Sequence, residues 1–157
     1  MSGDWDLEVK PHLTPIFAWG AAVIIVGAHV TVGALLKIGS TGVFFRTADQ
    51  IAIASVGVVI AALVTLFARP RLRVGPAGVA VRNLLGYRLF PWDTVVDISF
   101  HPGARWARLD LPDDEYVPVM AIQAVDKARA IDAMDQVRAL LDRYTRDLNS
   151  QGRPHHP

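Results

Sequence analysis

The chain contains no cysteine, which excludes disulfides, thiolate metal sites and cysteine nucleophiles and fits a reducing compartment. It also lacks a basic surplus, since 16 Lys and Arg stand against 15 Asp and Glu. A protein that neutralises many phosphates needs more cations than that, so no nucleic-acid partner is expected. The usual motifs of catalysis are missing too. There is no GxSxG elbow, no P-loop, no GxGxxG after a strand and no HExxH, and the histidines are scattered. The expectation is a non-enzymatic protein without a cofactor. Two further absences are local. No charge occurs from Ile51 to Ala68, and no acid between Asp49 and Asp93, an interval that holds Arg69, Arg71, Arg73, Arg82 and Arg88.

What is present divides into two chemistries. The apolar excess behind the 52% hydrophobic content is concentrated in the first 68 residues. Residues 1–12 are polar, begin with acids rather than a positive stretch, and are read as a retained, flexible N-terminal tail. Residues 13–68 are read as a transmembrane hairpin. Its first span covers about 16–36, roughly 31 Å of helix, and its second 51–68, roughly 27 Å, against a hydrocarbon core of ~30 Å. Between them, Gly39 to Gly42 signals a turn, and Phe44 and Phe45 suit an interface. Lys10, Arg69, Arg71 and Arg73 on one side outnumber Lys37 and Arg46 on the other. That bias predicts a multi-pass inner-membrane protein, integral through two spans, with both termini cytoplasmic.

After the second span the period changes from helical to alternating. Short runs beginning at Arg71, Gly78, Tyr87, Val95, Trp106 and Tyr116 are separated by turn residues such as Gly75-Pro76, Leu85-Gly86, Pro102-Gly103 and Pro112-Asp113. Val96, Ile98 and Phe100 are expected on one face of a strand. Connections this short exclude crossover helices and imply an antiparallel meander or barrel. From Asp126, a predicted N-cap, the residues Ile131, Met134, Val137, Leu141, Tyr144 and Leu148 recur at helical spacing as one packing stripe. Residues 149–157 are read as a disordered tail.

Gly78-Val79-Ala80-Val81-Arg82-Asn83, Phe90-Pro91-Trp92-Asp93-Thr94-Val95, Trp106-Ala107-Arg108-Leu109 and Val117-Pro118-Val119-Met120-Ala121 carry a resemblance. Together with the two apolar helices and the final amphipathic one, they make the chain similar to the bacterial, especially actinobacterial, membrane proteins with a pleckstrin-homology-like (PH-like) domain. The resemblance covers 69–148. It implies a bent antiparallel barrel or sandwich of six to seven strands capped by the C-terminal helix, a scaffold used elsewhere to bind lipids, peptides or proteins. Lipid-binding eukaryotic relatives grip inositol phosphates with basic residues in the loop between the first two strands. Here that loop is Val74-Gly75-Pro76-Ala77-Gly78, with Arg73 alone nearby, which argues against such recognition.

Candidate sites follow. Arg69, Arg71 and Arg73 could meet lipid head groups, or could simply end the span and set its orientation. Arg82, Arg88 and Trp92 are candidates for contacting a protein partner, against solvated strand positions for the arginines and a core anchor for the tryptophan, with Trp106 weighed in the same way. His29 lies within the first span, where a neutral imidazole bonded across to Thr65 or Ser55 is the simplest account and a proton path the bolder one. Gly57, Ala61 and Thr65 are expected to pair with Gly27 and Thr31. Asp110, Asp113, Asp114 and Glu115 read as a solvated turn, and His155 and His156 lack metal-site company, so no metal is expected. The leading expectation is a membrane-anchored module that binds a protein partner as a scaffold or accessory. The alternative is a module that senses or handles anionic lipid.

Overall fold

The computed structural model describes residues 5–36 and 46–151. The predicted turn at Gly39 to Gly42, with Lys37, Phe44 and Phe45, and the terminal His155 and His156 lie outside them. The chain forms two compact units: Leu13–Arg69, and the described residues up to His12 joined to those from Pro70 onward.

The first unit is an antiparallel helix pair, α1 (Leu13–Leu35) and α2 (Thr47–Thr65), the latter prolonged by a 3-10 turn over Leu66–Ala68. Each helix is long and apolar enough to cross a membrane. Their packing is almost entirely of small residues: Ala18, Ala22 and Gly33 are buried on α1, Gly57 and Ala61 on α2, while Phe17, Ile24, Val59 and Leu63 face outward. Small residues let two helix backbones approach closely where no hydrophobic drive separates helix from surroundings. The predicted partners Gly27 and Thr31 are exposed, so the contacting face of α1 is the Ala18, Ala22, His29, Gly33 side instead.

The second unit has seven strands in two sheets. β1 (Leu7–Val9), β2 (Arg71–Gly75), β3 (Gly78–Arg82) and β4 (Tyr87–Phe90) form one antiparallel sheet in that order. β5 (Asp97–Ser99), β6 (Trp106–Asp110) and β7 (Tyr116–Gln123) form the other. α3 (Ala128–Gln151) closes the sandwich. Leu72, Val74, Val79 and Val81 from one sheet, Ile98, Leu109 and Val119 from the other, and Met134, Val137 and Leu141 from α3 share a single core. This is the PH-like arrangement that the resemblance implies. Gly78 is required at the start of β3: its φ is +123°, and a Cβ there would stand 2.1 Å from the Phe90 carbonyl oxygen.

Several boundaries differ from the sequence reading. Residues 7–9 are a strand, not a flexible tail: Leu7 pairs with Val74, Glu8 with Arg73 and Val9 with Leu72. Leu7 and Val9 pack against the core, Tyr144 donates its hydroxyl to Asp6, and the His12 N–H donates to the Asp126 carboxylate at 3.0 Å. Asp126 thus lies in a 3-10 turn just before α3 and holds the chain's first segment in place. α3 continues through Gln151, past the predicted end of order. β5 is only three residues long, so Val96 falls outside it and is exposed, while Ile98 is buried. In α3, Ala130 and Ala133 join the buried stripe and Ile131 does not.

Candidate functional site

The arginines after α2 are distributed by strand alternation. In β2, Leu72 and Val74 enter the core, so Arg71 and Arg73 stand on the outer face. There they meet Glu8 from β1, whose Oε1 lies 3.1 Å from Lys10 Nζ, 3.3 Å from Arg71 Nη1 and 3.6 Å from Arg73 Nη2. The Lys10 hydrogen bond first, then the charges of Arg73, Lys10 and Arg71, hold the Glu8 carboxyl below the usual glutamate range, against the opposing pull of partial burial. One carboxylate therefore serves three cations. Sequence reasoning missed this because Glu8 lies 63 positions from Arg71. The alternation Leu7-Glu8-Val9-Lys10 was the available signal, but it is four residues long and precedes a proline.

Arg69 is exposed at the end of the helical unit. Arg82 ends β3 directly opposite Arg71. Arg88 sits on the edge strand β4 with its guanidinium 5.6 Å above the Phe90 ring. Among the described residues neither Arg82 nor Arg88 has a carboxylate partner. Trp92 corrects the sequence proposal of a partner contact. It is 7% exposed, donates its indole N–H to the Gly75 carbonyl at 3.0 Å and stacks on Tyr144 at 4.7 Å between ring centroids. The Pro91 turn points this ring inward, where burial and the bonded N–H make it a core anchor. Burial, followed by the hydrogen bond to Asp6, raises the Tyr144 phenol above its ordinary value.

His29 also differs from expectation. Its Nδ1 lies 2.8 Å from the Ile25 carbonyl on its own helix, while Ser55 bonds Ile51 and Thr65 bonds Ala62. The cross-helix polar contact is made elsewhere: Gln50 donates to the Gly33 carbonyl at 2.7 Å. His29 packs on Gly57, where a Cβ would stand 2.6 Å from the imidazole Cγ. In the acidic turn, Asp113 and Asp114 both adopt positive φ, the geometry of a tight hairpin, and are exposed.

One open cleft stands out in the sandwich. It measures about 340 Å³ and lies between the first turns of α3 and the end of β5, floored by Phe100, Ala130 and Met134, with Ile131 at its lip and Lys127, Asp135 and Arg138 around the rim. Ile131 is 63% exposed into this region. Arg138 donates to the Ile98 carbonyl at 3.3 Å and the Asp97 carboxylate accepts the Ile98 N–H at 2.7 Å. Both outward backbone groups of the edge strand β5 are thus occupied, which blunts that edge against strand addition.

Two antiparallel sheets closed by a C-terminal helix define a PH-like fold, and the bacterial PH domain is a non-catalytic module type. Residues 69–140 match the family model for the bacterial PH domain. The chain is 62% identical over 145 residues to an uncharacterised protein of Mycobacterium tuberculosis and to one of Mycobacterium bovis, covering 92% of this chain and 94% of each relative. The protein belongs to the bacterial PH-domain family. No solved structure matches it.

Proposed function

We propose that this protein is a non-catalytic, membrane-anchored PH-like module whose α3–β5 cleft receives an apolar side chain from a protein partner. The cleft carries the reading. Its floor is apolar, Ile131 is left out of the core at its lip, and its rim offers both signs of charge to orient a polar backbone. The two apolar helices supply the anchor, and the count of basic residues near their ends favours both termini on the cytoplasmic face. An anchor of that kind removes the need for the domain to find the membrane through a head-group pocket. The sharing of Arg71 and Arg73 with Glu8 also weakens the case for a lipid-specific site formed by those arginines.

A photo-crosslinking residue at position 131 of the full chain, in cells, tests this. The expected result is one discrete adduct that Ala130→Trp abolishes by filling the cleft, with none from the same probe at position 148. Absence of an adduct at 131, or equal adducts from both positions, overturns the reading. Protease access to the C-terminal domain in inside-out vesicles checks the orientation separately.

A further inference from the structure

The register of the first sheet decides which of its ends carries the connections to the apolar helices. β1 runs toward Val9, opposite Leu72, and α1 begins four residues later at Leu13. β2 starts at Arg71, after only Arg69 and Pro70 beyond the 3-10 turn that follows α2. Both connections therefore leave from the Val9/Arg71 end. β3 runs back to that same end, because Arg82 is the partner of Arg71 and Gly78 the partner of Gly75. The β3–β4 turn, Asn83-Leu84-Leu85-Gly86, thus lies at the end where the chain passes to and from the helices. The β2–β3 turn, Pro76-Ala77, lies at the other end, on the order of 14 Å away along the strands.

The chemistry of the near turn matches that placement. Leu85 at its tip is 91% exposed, and Tyr87 and Leu89 behind it are exposed as well. In a water-facing hairpin such a tip would be polar. The last row across the strands is Arg71, Arg82 and Tyr87, on one face. Like charges directly opposite each other destabilise a sheet, and Glu8 engages Arg71 while Arg82 has no carboxylate partner among the described residues. The base of the turn is also rigid. The Asn83 side chain donates to the Pro118 carbonyl at 2.8 Å and accepts the Met120 N–H at 3.2 Å, tying the end of β3 to β7.

We infer that the β3–β4 turn is a second, non-covalent membrane contact: Leu85 enters the boundary between head groups and acyl chains of an anionic bilayer, Tyr87 lies at the head-group level, and Arg82 pairs with lipid phosphate. The apolar tip gains burial, and the phosphate relieves the Arg71–Arg82 repulsion. This contact rests on the reading of α1 and α2 as membrane spans.

The absence of native cysteine makes a direct test possible with the full chain in nanodiscs containing phosphatidylglycerol. Nitroxide labels are placed singly at Leu85→Cys, at Ala77→Cys on the opposite turn, and at Val58→Cys on α2. Accessibility to oxygen and to a water-soluble nickel chelate is then compared. The expected result is a several-fold oxygen preference at positions 58 and 85 and a chelate preference at 77. In phosphatidylcholine alone, or with Arg82→Gln, the label at 85 shifts toward the chelate while that at 58 does not. A chelate preference at 58 removes the membrane-span reading. Oxygen preference at 58 with chelate preference at both 85 and 77 leaves the anchor intact and overturns the contact proposed here.

Discussion

The helical hairpin and the PH-like sandwich use the same apolar residue types in opposite ways. In the sandwich, Leu72, Val74, Ile98 and Leu109 are buried and the charged side chains lie outside. In the hairpin, Ala and Gly are inside and Leu, Ile, Val and Phe cover the exterior. A large apolar side chain leaves water for the core in one unit. In the other, on the reading of its helices as membrane spans, the surroundings are already apolar, so helix association depends on close packing of small residues. Hydrophobicity by itself thus says little about which residues hold a structure together. The surrounding solvent decides.

The strongest way to break this comparison is to make one substitution in both units. Leu109→Ala, at a position with no exposure, is expected to cost about 2–5 kcal/mol through lost burial and a residual cavity. Leu63→Ala, at 57% exposure on α2, should leave unfolding in lipid or mild detergent almost unchanged. Denaturant unfolding of the two full-length variants checks this, and equal losses would mean the hairpin has a water-type core.

A smaller effect sharpens the packing half of the comparison. Alanine has the higher helix propensity, yet Gly57→Ala should destabilise the helix pair by about 1–3 kcal/mol, because its Cβ would overlap the His29 ring. His29→Ala in the same chain should recover most of that loss. Thermal melts of the single and double variants give the coupling directly, and an unrescued Gly57→Ala would place the cause elsewhere.

The smallest effect concerns the polar face of the sandwich. The Glu8 carboxyl is lowered in the folded state, so its contribution is present above the ordinary glutamate range and is lost as pH falls through the lowered folded value. With the group open to solvent, the loss amounts to a few tenths to about 1 kcal/mol. Stability of the native chain should therefore fall more on acidification than that of Glu8→Gln, and parallel pH profiles would remove Glu8 from the account. Tyr144 acts at the other extreme. Its raised phenol contributes below the ordinary tyrosine value and the contribution is lost as pH rises through the folded one.

Much of the architecture was legible because it is locally written. The two apolar stretches, the alternation of Arg71-Leu72-Arg73-Val74 and the stripe of Met134, Val137 and Leu141 each announce themselves within a few turns or strand residues. Their failures are equally local in origin. Ile131 has the right spacing for the stripe yet lies exposed at the lip of the cleft beside Phe100. Val96 has the right parity for its strand yet falls before the ladder begins.

The candidate site was less legible. Arg71, Arg73, Arg82 and Arg88 were identifiable as cations, but which of them has a carboxylate depends on a strand that precedes the helical hairpin in the sequence. Trp92 could be read as a partner contact or as a core anchor until Gly75 and Tyr144 were seen to hold it.

The amino-acid sequence by itself determined that two apolar helices precede an antiparallel domain closed by an amphipathic helix, since periodicity and solvent preference act over neighbouring residues. Only the tertiary structure decided that residues 7–9 complete the sheet, that Glu8 takes up Arg71 and Arg73, and that the Leu85 turn shares an end of the sheet with both helix connections. Those facts depend on strand register between distant segments, and register is set by which side chains fit a common core.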